Sequence, residues 1–168
     1  MSSNNIFKFI VLVLLQVLVF NSININGYID PYIYIYIVLV LPFNTKPWVL
    51  LFSSFLLGMS VDIFSNTTGI HAAATTFAAF IRPSVIRLFT GKQNFDTNIY
   101  PSIRDMGLGW FYKYALLIIL AHQTVLFTLE TFKFTDILRL VYRISFSSGI
   151  TLAIVILMQY LFLKRQNK

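Results

Sequence analysis

Asp30-Pro31-Tyr32-Ile33-Tyr34-Ile35-Tyr36-Ile37-Val38-Leu39-Val40-Leu41-Pro42 is the stretch on which the fold turns. Tyrosine and isoleucine alternate with the period of a half-buried strand. Asp followed by Pro instead reads as an N-cap and a first helical position. The rest of the chain decides between them. Of 168 residues 57% are apolar and 11% charged, with a mean hydropathy of +0.75. A soluble domain carries about 25% charged residues, so this chain cannot cover its own surface in water. It reads as an integral membrane protein. A lone strand in lipid leaves its backbone groups unpaired, and no other segment offers barrel partners, so the alternating stretch is expected to be helical. As a helix, residues 31–43 reach only about 20 Å, short of a hydrocarbon core of about 30 Å. The stretch is therefore expected to be short, extended by residues 28–30, or shielded by neighbours.

Outward from that stretch the expectation is an all-α, polytopic domain over residues 1–168 with six transmembrane helices, at about 6–25, 29–43, 47–65, 69–82, 108–130 and 138–163. The first apolar run has Lys8 near its start, as a signal peptide would. No small-residue cleavage pattern follows it, so it reads as an uncleaved helix. Trp48 sits as an interfacial anchor after Lys46-Pro47, Asn66-Thr67-Thr68-Gly69 is a tight turn, and Arg82-Pro83 marks the exit of the fourth span. An amphipathic stretch then leads to Thr90, and residues 91–106 form the long polar loop. Asn66-Thr67-Thr68 also fits a glycosylation sequon, discounted because the turn lies against the membrane.

Charge sets the orientation. The net charge of +7 does not point to nucleic acid, because the basic residues sit at the ends of apolar runs rather than in a separate tail. With the N-terminus inside, ten basic residues fall on the cytoplasmic side: Lys8, Lys46, Arg82, Arg87, Lys92, Arg104, Lys113, Lys164, Arg165 and Lys168. Three fall outside: Lys133, Arg139 and Arg143. Both termini are expected to be cytoplasmic.

The third and fourth spans are the most informative. Ser54, Gly58 and Asp62 lie at i, i+4 and i+8, on one helix face. Across the turn, Ala72, Ala73, Ala74, Thr75, Thr76, Ala78 and Ala79 supply small residues, which let backbones approach closely in lipid. The pattern reads as a tight helical hairpin in preference to a ligand groove. Asp62 lies inside a span about one turn from the outer surface, where a charge has to be protonated or partnered. His71 and the backbone donors opening the fourth helix are the candidate partners. A structural role for Asp62 ranks above proton relay or ligand contact.

The segment Gly58-Met59-Ser60-Val61-Asp62-Ile63-Phe64-Ser65-Asn66-Thr67-Thr68-Gly69-Ile70-His71-Ala72 resembles the rod shape-determining protein MreD family. That family shows a Gly-x3-Asp-x6-Gly-x-His-Ala pattern at this junction, and Gly58, Asp62, Gly69, His71 and Ala72 fall in register. About fifteen residues match at motif level, and size and architecture match over the whole chain. The resemblance implies a component of the cell-elongation complex in the bacterial inner membrane. It would work beside MreC, the actin-like MreB, RodA and a penicillin-binding transpeptidase, either singly or as a homodimer. It also implies the six-helix fold of the substrate-binding subunits of energy-coupling-factor vitamin transporters.

The other ionisable residues say less. Arg139 and Arg143, with Glu130 and Asp136 nearby, read as interfacial snorkelling or ion pairing. His122 and Gln123 read as helix-to-helix hydrogen bonding, and with Arg143 they make an outer-side polar cluster. Ser145, Ser147, Ser148 and Gly149 read as a second close-packing patch. Lys113, with Trp110, Tyr112 and Tyr114, reads as a cytoplasmic anchor. Catalysis is not expected. There is no Gly-x-Ser-x-Gly, a single acid lies within a span, and two histidines without cysteine make a poor metal site. No cofactor is expected either. The functional expectation is a non-catalytic scaffold or regulator of peptidoglycan synthesis in the control of cell shape. A small-molecule-binding subunit of a vitamin-type transporter is the alternative.

Overall fold

The computed structural model describes residues 13–18, 30–91, 100–131 and 136–165. The described residues are helical, turn or irregular, with no strand among them. Residues 13–18 are helical. A single 3-10 turn at Ile33–Ile35 leads into α1 (Tyr36–Val40). Then follow α2 (Pro47–Ser65), α3 (Ile70–Thr90), α4 (Ile103–Met106), α5 (Leu108–Thr131) and α6 (Ile137–Arg165). Four of these, α2, α3, α5 and α6, are long and apolar enough to cross a membrane. This is a multi-pass helical membrane protein.

The expectation of six continuous spans needs correcting. Apart from residues 13–18, the first expected span, 6–25, lies outside the described residues. The second, 29–43, is not a spanning helix. Residues 30–32 are irregular, the 3-10 turn follows, and α1 has five residues before Leu41 and Pro42 break it. Asp30-Pro31 opens no helix. Of the three outcomes expected for it, short and shielded by neighbours are the ones found: protein, not lipid, surrounds this stretch. Tyr32, Ile33, Tyr34, Ile35, Tyr36, Val38 and Leu39 are all buried, so both phases of the Tyr/Ile alternation face protein. Irregular backbone at membrane depth is tolerated where protein encloses it and supplies hydrogen bonds.

The fourth span was expected to end near Arg82, but α3 continues through Pro83 to Thr90. Proline removes one backbone donor, and a 21-residue helix packed against α2 and α5 tolerates that loss. The loop at 91–106 contains α4, whose Ser102 accepts the Asp105 N–H at 3.2 Å as an N-cap. Residues 92–99 of that loop lie outside the described residues.

Packing follows the small residues. α3 is central, lying against α2 on one side and α5 on the other, and α5 packs on α6. The stretch 30–41, irregular at 30–32 and helical over 33–40, runs through the middle of these helices from one end to the other. It starts where Asp30 meets Arg143 and finishes where Leu41 meets Arg82. Leu, Ile, Phe and Val side chains such as Phe52, Ile63, Phe80, Leu138 and Leu157 are exposed on the outer surface, as lipid-facing residues are.

Candidate functional site

The hairpin between α2 and α3 is built on two residues. Asn66, with a left-handed φ of 54°, ends α2, and the Asp62 main-chain carbonyl accepts the Thr67 N–H at 3.1 Å. The same residue's carboxylate opens α3: Oδ1 accepts the His71 N–H at 3.1 Å and Oδ2 the Ala72 N–H at 2.9 Å. Thr67 Oγ1 also donates to Oδ1. Asp62 thus serves as a non-local N-cap, satisfying backbone donors that a helix start leaves open. One turn earlier, Gly58 meets the α3 backbone directly. A Cβ there would lie 2.5 Å from the His71 carbonyl oxygen and 2.6 Å from the Ala72 nitrogen, and would run into Ala72 Cα. Ser54, two turns before Asp62, is buried on the same face, and its Oγ has no partner. Gly69, with φ 81°, makes the left-handed entry to α3.

His71 contributes to this hairpin through its main chain, not its side chain. Its imidazole turns inward, where Tyr34 Oη lies 3.1 Å from His71 Nδ1 and 2.8 Å from His122 Nε2. One tyrosine hydroxyl therefore joins the irregular stretch to α3 and α5. Tyr32 covers the group, its ring 5.6 Å from that of His71 and 6.1 Å from that of His122. His122 is fully buried, and its Nδ1 has no partner.

Around this group, side chains of distant elements take over the backbone of the irregular stretch. Ser147 accepts the Asp30 N–H at 3.2 Å, and Thr151 accepts the Tyr32 N–H at 3.1 Å. Gln16 accepts the Ile33 N–H at 2.8 Å and donates to the Pro31 carbonyl at 3.1 Å. Gln123 donates to Thr151 at 3.0 Å and accepts from Ser148 at 2.7 Å. At the far end Tyr114 Oη donates to the Leu39 carbonyl at 2.9 Å, and Arg82 donates to Tyr114 Oη at 2.8 Å and to the Leu41 carbonyl. Arg82 is 1% exposed and has no carboxylate partner among the described residues. At the near end Arg143 pairs with Asp30 at 2.8 Å and Glu130 at 3.0 Å, and its guanidinium lies 4.3 Å from the centre of the Phe127 ring.

His122, Gln123 and Arg143, grouped from sequence as one cluster, thus have three separate partner sets. His122 and Gln123 do make hydrogen bonds between elements. Arg139 sits on the exposed surface, 3.8 Å from Asp136. The patch at 145–149 divides: Ser147 and Ser148 are buried, whereas Ser145 and Gly149 are exposed and a Cβ on Gly149 would meet nothing within 4 Å. The group around Lys113 also divides. Lys113 and Tyr112 are exposed, while Tyr114 is fully buried, with Trp110 stacked on it at 5.0 Å.

Sequence reasoning missed Tyr34, Gln16, Thr151, Tyr114 and the buried role of Arg82. Ser147 and Thr151 at i and i+4 inside an apolar helix were a legible hint, since such residues commonly bond across helices. The lipid-side groove between α2 and α3, lined by Trp48, Leu51, Phe52, Phe55 and Thr76, is apolar. Among the described residues no three His, Asp or Glu side chains gather as a metal site would require. Chemically, the arrangement distributes hydrogen bonds and fixes one irregular segment among four helices. No family model, no curated protein and no solved structure matches this chain.

Proposed function

We propose that this chain is an MreD-type membrane component of the bacterial cell-elongation complex, acting without catalysis as a scaffold or regulator of peptidoglycan synthesis. The observation that carries the reading is the hairpin geometry. Gly58, Asp62, His71 and Ala72, four of the five residues that resemble the family pattern, meet in a single close contact between α2 and α3. Under this reading the four long helices α2, α3, α5 and α6 cross the inner membrane, and the stretch 30–41 is enclosed among them. The end bearing Lys46, Arg82, Arg87, Arg104 and Lys113 is cytoplasmic, as are both termini. MreC, MreB, RodA and a penicillin-binding transpeptidase are the proposed partners. Deletion in the source bacterium tests the reading: rod-shaped cells become round or lyse, and the wild-type chain restores them. Normal rods in a clean deletion lacking a second copy refute it.

A second reading, a small-molecule-binding subunit of a vitamin-type transporter, draws on the irregular segment at membrane depth, a feature that transporters use to line binding sites. Mass spectrometry of the purified protein, showing a stoichiometric small molecule, would favour it.

A further inference from the structure

Arg82 is a cation that the bundle encloses without supplying an acid. Of the six acids in the chain, Asp30 and Glu130 pair with Arg143, Asp136 lies against Arg139, Asp62 opens α3 and Asp105 caps α4; Asp96 lies outside the described residues. Only the lateral edge of the guanidinium is used: Nε donates to Tyr114 Oη at 2.8 Å and Nη2 to the Leu41 carbonyl. The terminal fork, Nη1 with the second Nη2 hydrogen, has no acceptor among the described residues, and Nη1 still touches the surface. A second donor beside it lacks an acceptor as well. Trp110 stacks on the Tyr114 ring at 5.0 Å, and its buried Nε1 has no partner. Arg82 thus holds the hydroxyl of Tyr114 and Trp110 its ring face, with a free donor on each. A planar fork without a counter-charge matches two oxygens of an oxyanion, and at a membrane surface the abundant oxyanion is phosphate.

The depth of the fork fits a lipid headgroup. Gly58 lies against Ala72 and the two helices run antiparallel, so ten residues further along each, Trp48 comes level with Arg82, about 15 Å from the contact. Trp48 sits in the first turn of α2 and is 67% exposed, as an aromatic at the headgroup level is. Lys46, Arg87, Arg104 and Lys113 are exposed at the same end, against Asp105 as the one described acid there. Such an excess of cations concentrates anionic lipid beside the bundle. We propose that the Arg82 fork and Trp110 Nε1 bind a phosphate, and that its source is the headgroup of an anionic phospholipid in the leaflet at this basic end. The bound phosphate supplies the counter-charge that no described acid provides, and it braces the guanidinium that holds the Leu41 end of the enclosed segment.

The chain has two tryptophans, so a Trp48→Phe background makes Trp110 the sole tryptophan reporter. The full chain in maltoside micelles is titrated with dioctanoyl phosphatidylglycerol, with dioctanoylglycerol, which carries the same chains without phosphate, and with inorganic phosphate. Phosphatidylglycerol is expected to shift the Trp110 emission saturably and to raise Tm, and neither of the others to do so at equal concentration. Arg82→Lys keeps the charge and loses the fork, and is expected to weaken lipid binding about tenfold or more. Trp110→Phe keeps the stacked ring without its N–H, and is expected to weaken binding several-fold, read from the lipid-dependent rise in Tm. An equal response to dioctanoylglycerol overturns the site, and an equal response to inorganic phosphate overturns the lipid source. Unaltered lipid affinity in either variant overturns the role of its donor. A fall in Tm with a Trp110 shift on Asp96→Asn, in the absence of lipid, puts the counter-charge inside the chain and also overturns the proposal. The lipid series and the Trp110→Phe variant carry the test if Arg82→Lys fails to fold.

Discussion

Gly58→Ala is the sharpest perturbation of the hairpin. The added Cβ would lie 2.5 Å from the His71 carbonyl oxygen and 2.6 Å from the Ala72 nitrogen, and both belong to helix backbone that has no rotamer to yield. Non-bonded carbon contacts settle at about 3.5–4.0 Å, so α2 and α3 must part by about 1 Å at this point. Overpacking of this kind costs about 1–3 kcal/mol. The same displacement stretches the Asp62 bonds to His71 and Ala72, now 3.1 and 2.9 Å, beyond useful range. Each hydrogen bond to a charged group contributes about 1.5–3 kcal/mol, so a total near 4 kcal/mol is reasonable even without full additivity. For a chain of this size that corresponds to roughly a 10 °C fall in Tm. Gly149→Ala is the matched control, because its Cβ would meet nothing within 4 Å and alanine favours helix by up to about 1 kcal/mol. The assay is fluorescence-detected size-exclusion thermostability of fluorescent-protein fusions in detergent, with membrane abundance measured alongside. A Gly58→Ala protein as stable as Gly149→Ala would refute the claim that the two helix backbones touch here.

Three further outcomes follow from the geometry. Asp62→Ala leaves the His71 and Ala72 N–H groups without their acceptors and lowers abundance, at about 1.5–3 kcal/mol for each bond lost. Asp62→Asn keeps one acceptor oxygen and is milder, whereas normal abundance with lost cell-shape activity in Asp62→Asn would reject a structural role. Thr151→Val removes the acceptor for the Tyr32 N–H and the partner of Gln123, so Tm falls by several degrees, while the exposed Thr124→Val leaves it unchanged. For topology, single cysteines suit a chain with none of its own: Thr68→Cys is labelled by an impermeant maleimide in intact spheroplasts, and Arg104→Cys only after permeabilisation. Labelling of Arg104→Cys from outside would invert the orientation.

The long helices were legible because lipid demands continuous apolar runs, and their ends carry local markers such as Pro47, Asn66 and Gly69. The placement of Asp62 opposite the start of α3 was legible for the same reason, since spacing along one helix face reaches across a tight turn. The partner of the His71 imidazole was not. Sequence set Asp62 and His71 side by side, but the carboxylate takes the main chain and the ring turns to Tyr34, 37 residues away. The stretch 30–41 was legible as helical rather than strand and as short or shielded, which holds at 33–40, but not as irregular at 30–32, because its local pattern omits its surroundings. Helix and strand propensities both assume that a segment pairs its own backbone groups or shares them with a like neighbour. Here Gln16, Ser147 and Thr151 do that work, and nothing near residue 30 announces them.

That dependence has a consequence for biosynthesis. Ser147 and Thr151 lie 117 and 119 residues downstream of the amides they receive. When residues 30–41 leave the ribosome, the helix that completes their hydrogen bonding does not yet exist. The segment cannot partition into lipid as a finished unit and has to wait at the insertion machinery, or at the membrane surface, until α6 is made. Membrane assembly of residues 30–41 is therefore closed by α6, and a nascent chain stalled before residue 137 holds its own centre unsealed.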